Sequence, residues 1–555
     1  MISKVWLIWW KTKLTWLKTM ESNDRTTIIN DVELTHEGGH CCGRKACTLT
    51  KICGSFIIGC TALVILLIVR PRQQINPEYG VVFDAGSSHT TVYLYRWPGN
   101  ERLGGTAVPV DEIYSSSHQP GISSFVNNPE LAGNSIANLI KKVSKNVPAN
   151  KRSSTPIYVG ATAGMRLVKE VKPDVAYKIM LSISHALDNS GFLIPPNSSK
   201  IISGVEEGSW GWITTNYLMN ILQKPSELPK MQSSACSLLL KPACTYSVLN
   251  VSPGCGYKSF AALDMGGAST EITFMSPTSG KRTLDFRLYG KNYTIYTRSY
   301  LCYGLNEVYR RYLAQLAKSA NYSSKISNPC ARRGSNFNQS GKYIWKKPCS
   351  CEPSRKPGRD NFTFFGSNNR TECNKNLIKL FRFSSTCDGA KDFTNHSQPK
   401  LKGSFIAFSG YAFVRAGLNL SVTPTMKKYK SAYLSFCDKR GSQIHEQPRV
   451  SSRRTPLCFA GHYIYVLLTH GYGFSSETWD IAFEDTVGKK HLGWSLGFMI
   501  NATNLIPLNQ ARRLRIKDTF LIPALVVAGI FVLVSFILAV RFFVKIRSKS
   551  AYYPI

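Results

Sequence analysis

Asp84 and Asp264 stand at matching places in two copies of one short pattern. The first copy runs from Val81 to Leu94 and the second from Ala261 to Phe274. Laid over each other, Asp84 matches Asp264, Gly86 matches Gly266 and Thr90 matches Thr270. Each copy reads as an apolar strand, a turn of small residues, and a second strand of β-formers. Small turns let backbone N–H groups close on an anion with no side chain in the way. A carboxylate at the end of a buried strand is costly unless it holds a cation or a polar network. Two such hairpins facing each other would clamp a phosphate chain, with one carboxylate on each side. One copy alone would read as an ordinary glycine-rich hairpin, and it is the repeat at fixed offsets that points to a clamp.

Two further stretches could complete such a site. Pro156 to Arg166 is a short buried strand running into a Gly/Ala/Thr turn, the kind of strand end where α/β sheets hold ligands. Ile201 to Leu218 reads as a strand end, a turn bearing Glu206 and Glu207, and an apolar helix. Acidic residues at a helix start also serve simply as dipole partners.

The elements that position these residues lie between two apolar segments. At 555 residues the chain exceeds a single domain. Cys53 to Val69 and Phe520 to Val540 are uncharged and long enough to span a bilayer, the first only just. Asn-x-Ser/Thr sites occur at Asn197, Asn250, Asn292, Asn321, Asn338, Asn361, Asn369, Asn395, Asn419 and Asn501, all between the two segments. The middle is therefore expected outside the cell or in a lumen, with both ends cytoplasmic. Lys545, Arg547 and Lys549 fit that orientation, whereas Arg512, Arg513, Arg515 and Lys517 oppose it.

The expected division is a cytoplasmic tail over 1–52, a first span over 53–69 and a stalk over 70–78. A first lobe follows over 79–203, completed by 470–507, around a second lobe over 204–469. A stalk over 508–519, a second span over 520–540 and a tail over 541–555 close the chain. Cys41, Cys42 and Cys47 read as palmitoylation candidates in the first tail. Of sixteen cysteines, the eleven from Cys236 to Cys458 face an oxidising compartment and should mostly pair. The net charge of +36 reads as a solvated basic surface, or as attraction for anionic substrates or surfaces. Nucleic acid is not expected as a partner, because no reading module or basic helix is present.

In this order, the stretches DAGSSHT, GATAGMR, EEGSWGWITTNYL, ALDMGGAST and GHYIYVLL to GWSLGFM resemble the ectonucleoside triphosphate diphosphohydrolases, or apyrases. The resemblance runs from about Tyr79 to Pro507, and two anchors resemble the cell-surface branch of that family. It implies an α/β fold: two ribonuclease-H-like lobes of the actin/Hsp70/hexokinase type around a central cleft, plus the two transmembrane helices. It also implies hydrolysis of terminal phosphates of extracellular nucleotides, ATP, ADP and other tri- and diphosphates, with Ca²⁺ or Mg²⁺. The expected location is the plasma membrane, multi-pass, with homo-oligomers through the transmembrane helices.

Residue by residue, the resemblance implies that Ser87, Ser88, His89 and Thr162 hold one side of the phosphate chain. Gly266, Gly267, Ala268, Ser269, Thr270 and Glu271 would hold the other. Asp84 and Asp264 would hold the metal through water, as suits an ion that keeps part of its hydration shell. Glu207 matches the general base and Glu206 does not; Ser269 would orient the attacking water. Glu271 stands where the family usually has Gln, and a second carboxylate there would raise one of the two pKa values, leaving it as a second candidate base. Phe413 matches a base-stacking Tyr and Arg453 a nearby Arg. Leu457 and Leu305 replace a second stacking Tyr and a basic residue, which implies loose base selectivity. Cys302 with Cys349, Cys330 with Cys373 and Cys437 with Cys458 match family disulfides, and Cys387 is left with Cys351 as a candidate partner. Two other readings compete: a catalytically weak nucleotide-binding ectodomain, and a Golgi-lumen nucleoside diphosphatase.

Overall fold

The computed structural model describes residues 53–64, 77–99, 109–222, 259–277, 279–280, 282–350, 361–381, 393, 398–439, 455–503 and 518–550. Arg453, Cys236, Cys244, Cys255, Cys351, Cys387, the sequons at Asn250 and Asn395, and the whole expected tail with Cys41, Cys42 and Cys47 lie outside the described residues. The chain forms two compact units, Ile75–Asn509 and the combination of Met1–Gln74 with Gln510–Ile555.

The larger unit is built on two sheets of the same design. In the first, β1 (Pro77–Ala85), β2 (Thr90–Pro98), β3 (Asp111–His118), β4 (Ile157–Ala161) and β5 (Ser199–Ile201) lie in the order β3-β2-β1-β4-β5. The first three are antiparallel, and β4 and β5 join parallel to β1. The second sheet uses β6 (Ala261–Met265), β7 (Ser269–Met275), β8 (Thr283–Leu288) and β9 (Lys291–Leu301). A three-stranded side sheet of β10 (Lys325–Asn328), β11 (Asn336–Ser340) and β12 (Asn361–Gly366) intervenes before β13 (Phe405–Ser409) and β14 (Ile481–Phe483) return to it. Its order, β14-β13-β6-β7-β9-β8, repeats the first sheet's order and strand directions and adds β8 at one edge.

Alternation along the strands sends successive side chains to opposite faces. Val81 and Phe83 enter an outer core with Ile136, Leu139 and Ile140 of the Glu130–Ser144 helix. Val82 and Tyr95 face a central core that also takes Ala262, Ile406 and Phe408 from the second sheet. That shared core holds the Gly204–Leu218 and Trp494–Ala502 helices, with Trp210, Trp212 and Trp494 buried. Gly497 N–H of the second helix donates to Thr214 Oγ1 of the first at 2.8 Å. Of the segment 470–507, the Trp494–Ala502 helix packs on β1 and β2, while β14 adds to the second sheet. The outer core of the second sheet is aromatic, with Tyr303, Tyr312, Tyr411, Tyr429 and Tyr463 fully buried.

Three disulfides stitch this half: Cys302–Cys349, Cys330–Cys373 and Cys437–Cys458. These are the pairs implied by the resemblance. Asn197, Asn292, Asn321, Asn338, Asn361, Asn369 and Asn419 are exposed and Asn501 is partly exposed, so each described sequon is on the surface.

In the smaller unit, Pro523–Lys545 is 23 residues long with a mean hydropathy of 2.8 and is the one helix among the described residues long and apolar enough to cross a membrane. The first apolar segment is helical over Cys53–Val64, shorter than the expected 53–69, whose remainder lies outside the described residues. The Ser55 and Ser535 hydroxyls of the two helices lie 3.1 Å apart. The C-terminal helix runs from Asp518 to Ser550, past the expected end at Val540. Nothing between Arg541 and Ser550 is a helix breaker, and Arg and Lys are good helix formers.

Candidate active site

The two doubled hairpins close in the same way. Gly86 N–H donates to His89 C=O at 3.0 Å, and Gly266 N–H to Ser269 C=O at 2.9 Å. Each turn is then backed by a neighbouring segment. Thr162 N–H donates to Ala85 C=O at 3.2 Å, and Thr162 caps the Ala163–Val171 helix. Behind the second turn, Leu305 N–H donates to Gly266 C=O, and Asn306 and Glu307 N–H to Gly267 C=O, from the start of the Leu305–Ser319 helix.

The turns meet across a cleft of about 370 Å³. Gly267 lets the turns approach closely: a Cβ there would lie 2.8 Å from Ser87 Oγ and 3.0 Å from Asn306 Nδ2, so any side chain would have to push these two aside. The cleft is lined by Asp84, Ser87, Ser88, His89, Thr162 and Glu207, and opposite them by Asp264, Gly266, Gly267, Ala268 and Ser269. Ser88 Oγ and His89 Nδ1 are 3.0 Å apart.

Thr270 and Glu271, expected in the same wall, lie outside the cleft lining. Thr270 is fully buried, and its hydroxyl donates to the Asp264 carbonyl at 2.7 Å and lies 3.1 Å from the Tyr411 and Tyr472 hydroxyls. It braces the strand that carries Asp264, because alternation along β7 turns it to the opposite face from its neighbours. Glu271 is 1% exposed, below the cleft. Phe413 is half-buried against the aromatic core and is not among the described residues lining the cleft. Leu457 is buried in that core, at the start of the Leu457–Val466 helix.

The two adjacent glutamates do different work. Ser203 Oγ accepts from Glu206 N–H, and the Glu206 carboxylate accepts from Ser203 N–H, a reciprocal cap for the Gly204–Leu218 helix. Lys200 Nζ holds the other Glu206 oxygen at 2.6 Å. Glu207 turns the opposite way, 8% exposed, and accepts from Arg166 Nη2 at 2.7 Å. The same nitrogen donates to Ser269 Oγ at 3.0 Å and lies 3.7 Å from Glu271 Oε1. Ser269 in turn donates to Glu271 Oε1 at 2.6 Å, as does Ser299 at 2.7 Å.

The electrostatics follow from four carboxyls in one buried place. Burial, then the charge of Glu207, push the Asp84 carboxyl up to about 7. The same two causes push Asp264 up to about 8. Burial raises Glu207 against the pull of Arg166, and burial with the charges of Glu207 and Asp264 raises Glu271 well above the usual carboxylate range. Glu207, Asp264 and Glu271 each offer an oxygen within 4.8 Å of the others, and Glu271 Oε2 has no partner. Four clustered carboxyls with Arg166 their one bonded cation among the described residues suit a divalent cation, and of the four Asp84, Asp264 and Glu207 line the cleft.

Sequence reading missed Arg166, Ser409 and Asp485. Ser409, with φ 58°, ends β13 at the register position that Ala161 holds in β4, and it precedes the Gly410–Gly417 helix as Thr162 precedes Ala163–Val171; its N–H donates to Asp485 Oδ1 at 2.8 Å, and Ser409 and Asp485 both line the cleft. The end of β13 carries no local motif in the sequence, and the repeated strand order is the signal that points to it.

Two equivalent sheets with a carboxylate-rich cleft between their hairpins define an α/β phosphate-site protein. The chain belongs to the GDA1/CD39 (nucleoside phosphatase) family, whose model matches residues 71–517. It is 35% identical over 470 residues to ectonucleoside triphosphate diphosphohydrolase 3 of Mus musculus, covering 81% of this chain and 84% of the relative. It is 34% identical over 475 residues to ectonucleoside triphosphate diphosphohydrolase 8 of Bos taurus, covering 83% and 90%. The fold is similar to a crystal structure of nucleoside triphosphate hydrolases from Neospora caninum, with a TM-score of 0.57 at 15% identity over 81% of this chain and 95% of that one.

Proposed function

We propose that this chain hydrolyses nucleoside tri- and diphosphates, taking ATP to ADP and AMP with release of phosphate, at a metal-dependent site facing the cell exterior. The observation that carries the reading is the pairing of Ser87 and Gly267 across one cleft that also exposes Asp84, Asp264, Glu207 and Ser269. The names of the relatives support the substrate class.

In this reading Ser87, Ser88, His89 and Thr162 bind one face of the phosphate chain, and Gly266, Gly267, Ala268 and Ser269 the other. Asp84 and Asp264 hold Ca²⁺ or Mg²⁺ through water; the ion, when bound, neutralises charge on the phosphate oxygens. Glu207 takes a proton from the attacking water and Ser269 orients that water. Phe413 and Arg453 serve the nucleobase. The two sheets are the cores of two ribonuclease-H-like lobes of the actin/Hsp70/hexokinase type, with the boundaries given from sequence except that Ile481–Phe483 of 470–507 goes to the second lobe.

Two membrane spans anchor this ectodomain at the plasma membrane. The surface sequons, the Pro523–Lys545 helix and the contact between Ser55 and Ser535 support that topology. The deciding experiment is phosphate release from intact expressing cells given ATP, ADP or AMP, with and without a chelator. Release from ATP and ADP but not AMP, abolished by chelation, is expected; no release above untransfected cells overturns the reading.

A further inference from the structure

We infer that Arg166 is the positioning residue for the hydrolytic water. It fixes which oxygen of Glu207 and which face of the Ser269 hydroxyl are presented to that water. The inference rests on the hydrolase reading and goes beyond it, because Arg166 is not among the residues lining the cleft and was assigned neither to phosphate nor to metal.

The argument is a count of hydrogens. An arginine Nη carries two, and it accepts none. On Arg166 Nη2 one goes to Glu207 Oε2 at 2.7 Å and the other to Ser269 Oγ at 3.0 Å. That leaves Glu207 Oε1 as the oxygen available to take a proton. The Ser269 hydroxyl hydrogen is committed to Glu271 Oε1 at 2.6 Å, an oxygen also shared by Ser299 at 2.7 Å. Ser269 therefore meets the cleft as an acceptor only. A water molecule has two hydrogens to place, and these two acceptors take both, leaving a lone pair for phosphorus. The water oxygen bonds phosphorus, its proton passes to Glu207 Oε1, and the bridging anhydride oxygen leaves with its bonding electrons.

The surroundings are shaped to keep the guanidinium in place. Arg166 comes from the helix after β4, Glu207 from the helix behind the second sheet and Ser269 from β7, so one nitrogen ties segments 41 and 103 residues apart. Gly204 makes the room: a Cβ there would lie 2.4 Å from Arg166 Nη1 and 2.2 Å from Ser299 Oγ. Adding one methyl group at Gly204 would thus displace the arginine and Ser299, whose Cβ also lies at 2.2 Å, while leaving every charge in the site unchanged.

The test uses the full-length chain in membranes of expressing cells, with ATP as substrate. Arg166→Ala and Gly204→Ala should each lower kcat roughly 10²-fold with KM unchanged, the scale expected for a misplaced nucleophile. Arg166→Lys should behave like Arg166→Ala, because a lysine point charge does not reproduce the planar fork. Added guanidinium should restore part of kcat to Arg166→Ala and none to Gly204→Ala. A raised KM with kcat intact would make Arg166 a phosphate contact and overturn the inference, as would wild-type kcat in Arg166→Ala. Thermal melting of each variant separates misplacement from unfolding, and a variant that melts early without guanidinium rescue counts against positioning. Failure of the wild-type chain to hydrolyse any nucleotide would instead sink the hydrolase reading itself.

Discussion

Asp84 and Asp264 occupy one register position in two different hairpins. Asp84 pairs with Thr91 and Asp264 with Glu271, each a single step before the closing pairs Ala85 with Thr90 and Met265 with Thr270. Both carboxyls line the same cleft. Asp84→Asn and Asp264→Asn should each remove most phosphate release while leaving the melting temperature near wild type. Wild-type turnover of either variant at saturating Ca²⁺ would refute the clamp.

Glu207 and Glu206 are neighbours in sequence with separate duties. Glu207→Gln should lower kcat by roughly 10²–10⁴-fold, the usual worth of a general base. Glu206→Gln should keep kcat and the cap geometry, since Gln can still accept from Ser203 N–H, and should lose only the part-exposed ion pair to Lys200, worth at most about 1 kcal/mol. Glu271→Gln should retain substantial activity, since the amide still accepts from Ser269 and Ser299. Near-complete loss in Glu271→Gln, with Glu207→Gln active, would move the base role to Glu271.

The raised carboxyls make stability depend on pH with a definite sign. Asp84 and Asp264 ordinarily titrate at 3.8, and in the folded chain at about 7 and about 8. Between these values the folded state holds protons that the unfolded state has released, so stability falls as pH rises through that window. A bound cation favours the ionised carboxylates and opposes the fall. Melting temperature in chelator should therefore drop between about pH 4 and about pH 8, and added Ca²⁺ or Mg²⁺ should raise it more at the alkaline end. A cation effect of equal size at both ends would count against Asp84 and Asp264 as its holders.

Enzymatic removal of N-glycans from the surface-labelled protein should shift its mass at several sites between Asn197 and Asn501. An unshifted protein would contradict an external location for the large unit.

The doubled hairpin was legible in sequence because its evidence is local: Asp, Gly and Thr recur at fixed offsets within a few residues. Glu206 was legible as a residue of the helix start for the same reason, and its reciprocal bond with Ser203 is what the structure adds. Arg166 was quoted within its motif and given no part, because its partners are 41 and 103 residues away and no periodicity links them. The resemblance put Thr270 against the phosphate, yet strand alternation turns its hydroxyl to the Asp264 carbonyl. The end of the last apolar helix was set at Val540 by hydropathy, which reports on the membrane and is silent on how far helix propensity carries the backbone beyond it.

The repeated sheet order has a consequence for what the cleft can hold. In the proposed reading each hairpin would be a half-site, complete in its turn and its carboxylate but open on one side. A chain of two or three phosphates reaches both halves at once, and its second contact forms at the high effective concentration set by the first. A single phosphate reaches one half only and gains no such advantage. If the hairpins bind phosphate as proposed, a nucleoside monophosphate is too short to bridge them and also lacks the anhydride bond that the reaction breaks, so span and chemistry would set the same stopping point.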